Sequence, residues 1–200
     1  MADITTAQVK ELRAKSGAGM MDCKNALVAA GGDLEKAMDE LRKQGLATAQ
    51  KKSSRVTKEG AVDAYIHAGG RIAVLVEVAC ETDFVARGDQ FKAFTHDLAM
   101  QVAAANPLYV RRDDAPAAVV EREKAVYADQ AKGKPDNVVE KIVAGKLEKW
   151  YADVCLLEQA FIKDPDKTIE QLRTELVGVI GENVEVRRFV RFQLGEASEA

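Results

Sequence analysis

The sequence has few of the residues that build covalent, metal and cofactor sites. Its 200 residues include three cysteines, two histidines, one tryptophan and 6% aromatic residues. The cysteines, Cys23, Cys80 and Cys155, are widely spaced and form no C-x-x-C pair, so a structural zinc site is not expected. No GxxxxGK[ST] or GxGxxG motif is present to hold a nucleotide. We therefore expect neither a metal nor a cofactor.

Neither sign of charge dominates, and no long apolar run occurs. Lys and Arg total 29 against 32 Asp and Glu, for a net charge of -3. A dedicated nucleic-acid binder usually has a basic excess and aromatic residues for base stacking. No apolar run approaches the roughly 18 residues of a membrane helix, and the first residues do not resemble a signal peptide. These features favour a cytoplasmic protein that binds neither nucleic acid nor a membrane directly.

Helical patterns fill the first 50 residues. Thr5 and Gln8 form a capping-box pattern, and Asp33 is a good N-cap for a later helix. Glycines at Gly17 and Gly45 predict helix ends, with a second helix from about Met21 to Ala30 between them. We predict a three-helix docking bundle over residues 1–50, since so small a core is marginal by itself.

A polar segment over residues 51–60 predicts a linker. Its basic residues are Lys51, Lys52, Arg55 and Lys58, and its apolar periodicity is weak. A solvated linker or an exposed helical extension is the first interpretation. The alternative is a small RNA-binding module, in which this cluster would contact phosphates.

Residues 61–200 mix strand and helix patterns. Alternation at Val62–Ile66 and the β-branched run Ile72–Val78 predict a hairpin. Helices are predicted near Gln90, Asp114 and Asp136, and a short strand over 155–162. In the final element, Val184 to Leu194, apolar and polar residues alternate, but the alternation is interrupted. A β-bulge near 187–189 or a second buried face would explain the interruption. The fold class is α+β, a core domain whose small, mostly antiparallel sheet is covered by helices.

Three local features leave functional alternatives open. Cys80 lies at a strand end beside Glu81 and Asp83, as enzymes place nucleophiles, although acidic neighbours suppress a thiolate. Thr82 or Asp83 fits an ordinary cap, with Phe84 in the core. Adjacent methionines at Met20 and Met21 either fill a gap between helices or lie exposed for binding.

Three long motifs resemble one family. The chain reads SGAGMMDCKNAL at Ser16 to Leu27, VEVACETDFVARGDQF at Val76 to Phe91, and IGENVEVRRFVRFQLGE at Ile180 to Glu196. Together they are very similar to the motifs of the translation elongation factor Ts family, in its short form. The resemblance covers essentially the whole chain.

The resemblance implies a function and a set of site residues. Members are guanine-nucleotide exchange factors for elongation factor Tu and have no catalytic residues of their own. A ubiquitin-associated-like bundle docks on Tu, and Met20 and Met21 match its contact turn. The TDFV segment, here Thr82 to Val85 (Thr82, Asp83, Phe84 and Val85), intrudes near the Mg²⁺ site of Tu. His67 on the hairpin matches a further contact.

The chain differs from longer members of that family. It has one hairpin-plus-helix unit where they have a duplicated core, and no long coiled-coil insertion. The resemblance then implies a homodimer that binds two Tu molecules. The apolar C-terminal strand and the Cys155–Ile162 segment are the candidate dimer elements.

Overall fold

The computed structural model describes residues 4–196 and confirms an α+β fold with small antiparallel sheets. Within those residues the helices are α1 Thr6–Ser16, α2 Met20–Ala29, α3 Leu34–Lys52, α4 Asp83–Ala86, α5 Asp89–Ala105, α6 Ala117–Gln130, α7 Asp136–Val154 and α8 Ile169–Ile180. The strands are β1 Glu59–Ile66, β2 Ile72–Cys80, β3 Ala160–Phe161, β4 Asp164–Thr168 and β5 Glu185–Gln193.

Local signals in the sequence fix both ends of the first helix and the start of the third. The Thr5 side chain accepts a hydrogen bond from the Gln8 N–H, and the Gln8 side chain accepts one from the Thr5 N–H. Gly17 ends α1 in the left-handed region at φ 69°. The Asp33 carboxylate accepts hydrogen bonds from the N–H groups of Glu35 and Lys36 at the start of α3. The predicted capping box, helix end and N-cap are confirmed.

A small apolar core holds these three helices together. Most of its buried side chains are short. The buried members are Val9, Leu12, Cys23, Ala26, Leu27 and Ala37. Burying so little apolar surface contributes modest stability. The helices therefore depend on their caps and on further packing along α3.

The predicted end of α3 at Gly45 is wrong, because the helix continues to Lys52. The glycine serves a packing contact. A Cβ atom placed on Gly178 of α8 would lie 3.1 Å from the Cα of Gly45. Two glycines facing each other let the backbones of α3 and α8 approach closely, which a sequence pattern within α3 cannot reveal.

The three-stranded sheet has the order β1-β2-β5. The turn of residues 67–71 joins β1 and β2 as the predicted hairpin. β5 runs antiparallel to β2, because the Leu194 N–H donates to the Arg71 carbonyl while Arg188 pairs with Glu77 farther along. Strands β3 and β4 form a separate antiparallel pair, so the strand predicted over 155–162 is confined to Ala160–Phe161.

The two halves of β5 expose different alternate side chains. Val184 and Val186 are buried, whereas Val190, Phe192 and Leu194 are exposed. The even-numbered side chains of the second half are left in solvent. The bulge and the second buried face both stay predictions.

One glycine of β1 is required by the approach of β2. Gly60 has φ 151°, and a Cβ atom there would lie 2.2 Å from the carbonyl oxygen of Val78 and 2.7 Å from the Cα of Ala79. No other residue fits this contact without moving the backbone. The start of β1 is thus pressed against the end of β2, where the chain turns into α4.

Backbone contacts divide the described residues into two compact units. The first holds the described residues up to Ala61, together with Val78–Phe94 and Gln171–Glu185. The second holds Val62–Glu77, Thr95–Glu170 and the described residues from Val186 onward. The division into a 1–50 bundle, a 51–60 linker and a 61–200 core stays a prediction about independent folding units.

Replacing each of the facing glycines by alanine tests the contact between α3 and α8. Gly45→Ala should raise the free energy of unfolding by about 0.5–1 kcal/mol, because alanine is the better helix former and meets only ordinary contacts. Gly178→Ala has the same intrinsic gain but meets the Gly45 backbone, so its stability should be lower than that of Gly45→Ala. Urea unfolding measures both, and equal gains would contradict the close approach.

Candidate functional site: the turn after the second strand

Thr82 begins a single turn of helix immediately after β2. Its backbone is extended, and its hydroxyl oxygen accepts a hydrogen bond from the Val85 N–H at 3.4 Å. Of the two capping residues that the sequence allows, the structure selects Thr82. The following residues, Asp83 to Ala86, form the short helix α4.

Phe84 projects from this turn into solvent with 83% of its surface exposed. The alternative in which Phe84 is a core residue is therefore wrong. Beside it lies an open groove of about 690 Å³, whose apolar lining includes Phe84, Val85, Phe91 and Ile180. Because this phenyl ring is not buried in its own chain, the free energy of burying it remains available to a partner that covers it.

The carboxylate next to Phe84 is paired within the turn. An Asp83 oxygen lies 2.7 Å from a guanidinium nitrogen of Arg87, and both side chains are largely exposed. Exposed ion pairs contribute little to stability because water screens them. Asp83 can therefore exchange Arg87 for another cation at small cost.

A distant glutamate holds the start of the turn. The Glu182 carboxylate accepts hydrogen bonds from the N–H groups of Glu81 at 3.1 Å and Thr82 at 3.0 Å, and from the Thr82 hydroxyl at 2.7 Å. In return the Glu81 carboxylate accepts a hydrogen bond from the Asn183 N–H at 2.7 Å. We name these four residues, Glu81, Thr82, Glu182 and Asn183, the reciprocal clasp.

The members of the reciprocal clasp lie inside two of the three long motifs, but the sequence alone gives Glu81, Glu182 and Asn183 no structural role. The two halves lie about 100 positions apart in sequence. Periodicity and capping patterns act over a few residues, so they could not have paired these groups. The only local signal is a polar Glu-Asn pair directly after the glycine that follows α8.

Cys80 lies under the turn as a buried thiol. Its sulfur donates to the Thr82 carbonyl oxygen at 3.2 Å. Burial raises the pKa of Cys80 to about 11, and the nearby Glu182 carboxylate adds to the rise. At neutral pH the group is a protonated thiol, which is a poor nucleophile. The enzyme alternative thus loses its candidate nucleophile.

Both methionines of the bundle turn are outside the apolar core. Met21 is 65% exposed and Met20 is 41% exposed at the start of α2. The alternative in which both fill a gap between helices is not what the structure has. Gly17, three residues earlier, packs beside the side chain of Gln90, which also lines the groove near Phe84. The bundle turn and the groove thus lie in one part of the first unit.

His67 belongs to the second unit, at the hairpin turn. Its N–H donates to the Ile72 carbonyl, and its Nδ1 lies 3.1 Å from the Tyr65 hydroxyl. The imidazole is exposed. His67 is accessible, and Tyr65 fixes one side of its ring.

The basic cluster predicted as a linker is partly engaged in the fold. Lys51 and Lys52 are the last residues of α3, where Lys52 donates to the Gly181 carbonyl. Arg55 lies 3.5 Å from the Glu81 carboxylate. These two cations contact their own chain, which weakens the RNA-binding alternative.

Two features are absent from residues 4–196. No group of three or more His, Cys, Asp or Glu side chains there is arranged to hold a metal ion. Within the same range, no helix combines the length and the apolar character needed to cross a membrane.

Comparison with known proteins places the chain in a family. The family described as Elongation factor TS matches residues 7–196. Elongation factor Ts of Geobacter sulfurreducens is 60% identical over 98% of this chain and 92% of that protein. The proteins of that name from Carboxydothermus hydrogenoformans and Heliobacterium modesticaldum are 60% and 59% identical, over 96% of this chain and 90% and 91% of theirs. Since the similarity is high and spans nearly the full length of both partners, the chain belongs to the elongation factor Ts family.

Proposed function

We propose that this chain is a guanine-nucleotide exchange factor for elongation factor Tu, acting in translation elongation in the cytoplasm. It binds Tu carrying GDP, promotes the release of GDP, and leaves when GTP binds. Family membership supports the proposal. The single structural observation that carries it is Phe84, an almost fully exposed phenyl ring on a turn that its own chain holds in place.

The turn after β2 acts on the Mg²⁺ and phosphate site of Tu. Mg²⁺ bridges protein and phosphate oxygens and neutralises the charge of the nucleotide. Phe84 wedges against the loop that supports the metal, with Val85 beside it and Thr82 shaping the turn. The Asp83 carboxylate competes for the positive charge of the Mg²⁺ ion. This displacement weakens GDP binding without competing for the guanine base.

Phe84 cannot supply the whole effect. An acceleration of GDP release by about 10⁴ requires about 5.5 kcal/mol. Burying one phenylalanine contributes about 1.5–3 kcal/mol. The remainder must come from a broader interface, to which we assign Met20 and Met21 of the bundle and, as a further contact, His67. The coupling is reciprocal, so GDP weakens the binding of this chain to Tu by the same factor.

A homodimer binding two Tu molecules is the second part of the proposal. In the second unit, the outer side of the sheet exposes large apolar side chains from all three strands: Val62, Ile66, Leu75, Val190, Phe192 and Leu194. Such a face is costly to leave in water, and a second copy of the same face is a self-complementary cover. The other candidate, Cys155–Ile162, offers less free surface, since Cys155, Leu156 and Phe161 are buried.

Truncating the wedge should slow exchange. Phe84→Ala should reduce the acceleration of GDP release roughly 10- to 150-fold, the equivalent of burying one phenyl group. Release of fluorescent GDP from Tu, with and without this protein, measures the effect. Leu108→Ala is the control, since Leu108 is also exposed but lies in the second unit. An unchanged rate for Phe84→Ala would exclude the wedge, and a parent protein that does not accelerate release would exclude the proposed function.

Truncating the bundle contact should weaken binding to Tu, on which part of the acceleration depends. Met21→Ala should raise the Kd for Tu roughly tenfold, about 1.4 kcal/mol, because most of this side chain is free to be buried by a partner. Met20→Ala should have a smaller effect in proportion to its lower exposure. Titration calorimetry with nucleotide-free Tu gives both values, with Met38→Ala on α3 as control. Equal affinity for Met21→Ala and the parent would remove this residue from the interface.

A charge on the outer side of the sheet should dissociate the dimer. Phe192→Asp should elute as a monomer at micromolar concentration, because a buried unpaired carboxylate is strongly unfavourable. Light scattering should give a mass of 21.7 kDa for the variant and twice that value for the parent. Leu108→Asp, a charge placed on an exposed apolar residue outside the strands, should stay dimeric. A monomeric parent would contradict this part of the proposal.

A further inference from the structure

Glu182 is the strongest anchor of the exposed turn. Three donors converge on its carboxylate, from Glu81 and Thr82, at 2.7–3.1 Å. Hydrogen bonds to an ionised acceptor are about twice as strong as those between neutral groups. Glu182 thus fixes the two residues at which the chain leaves β2 and enters α4.

Besides Glu182, the turn is held by the Thr82 cap, by the Cys80 thiol on the Thr82 carbonyl and by the buried Ala86. The helix α4 is four residues long, far too short to be stable alone. Phe84 at its tip is exposed, and the Asp83–Arg87 pair is screened by water. The direction in which Phe84 points therefore depends on how its base is anchored.

The reciprocal clasp also connects the turn to the end of α3. The Asn183 side chain is buried and donates to the backbone carbonyls of Arg55 at 2.9 Å and Ser53 at 3.4 Å. Its N–H donates to Glu81, which lies against the Arg55 guanidinium. One hydrogen-bonded network thus joins three stretches of the first unit that are far apart in sequence.

We propose that Glu182 is a positioning residue, which holds the Thr82–Val85 turn in its binding conformation before a partner arrives. This inference rests on the proposed function, because it assigns the use of the fixed turn to nucleotide exchange. A turn that is already ordered does not lose conformational entropy on binding, so more of the contact energy of Phe84 remains for displacing the nucleotide. Glu182 acts through Phe84 and does not itself need to touch Tu.

The first test needs no partner. Amide hydrogen exchange of Glu81 and Thr82, followed by NMR, should be at least tenfold faster in Glu182→Ala than in the parent, while the bundle amides keep their protection. Glu182→Gln keeps an acceptor oxygen, so its exchange rate should lie between those of Glu182→Ala and the parent. Glu185→Gln is the matched control, since Glu185 accepts a hydrogen bond from the Thr57 hydroxyl. Parent-like exchange at Glu81 and Thr82 in both Glu182 variants would overturn the proposal.

The second test separates positioning from general stability. Glu182→Ala should reduce the acceleration of GDP release from Tu roughly tenfold, with Glu182→Gln restoring most of it and Glu185→Gln unchanged. In a Phe84→Ala background, Glu182→Ala should change the rate less than twofold, because the group that it positions is gone. Independent, additive losses would overturn the positioning role even if the turn amides are exposed.

The two tests distinguish failure of this inference from failure of the proposed function. If the parent protein and Tu show no exchange activity, the function fails, and the amide measurement alone decides whether Glu182 orders the turn. If Phe84→Ala impairs exchange but Glu182→Ala does not, the function stands and the inference is wrong.

Discussion

The first unit depends on one exchange of hydrogen bonds, in which each of two loops places a carboxylate on the backbone N–H groups of the other. Glu182 receives donors from Glu81 and Thr82, and Glu81 receives the Asn183 N–H. Asn183 extends the contact to the backbone after α3. Removing one partner would leave a charged group without its hydrogen bonds, which costs more than the bonds contribute when made. Each side of the arrangement therefore depends on the other.

The parts of the fold that could be predicted from the sequence are those with local causes. The capping box at Thr5 and the left-handed Gly17 each act within one helical turn, and both are confirmed. Gly45 looks like a helix-ending glycine in the sequence, but its role is to make room for α8, more than 120 positions away. Local patterns identify glycine and cannot tell whether it ends a helix or admits a neighbour.

The candidate site shows the same limit. The motif around Phe84 was found because it resembles a family, while its residue types alone allowed a capped turn with a buried phenyl ring. Exposure of Phe84 is decided by how the base of the turn is anchored, and that anchor comes from Glu182. The sequence alone cannot predict that Glu182 pairs with this turn, because no local pattern links two segments so far apart.

The exposed tip of the turn and the exposed side chain at the start of α2 are a phenyl ring and a thioether, Phe84 and Met21. Uncharged groups give no electrostatic steering of their own, so capture through these two contacts proceeds at the roughly 10⁵–10⁷ M⁻¹s⁻¹ of unsteered association. Any dependence of that rate on ionic strength comes from charged neighbours such as Asp83 and Arg87, which lie exposed beside the phenyl ring.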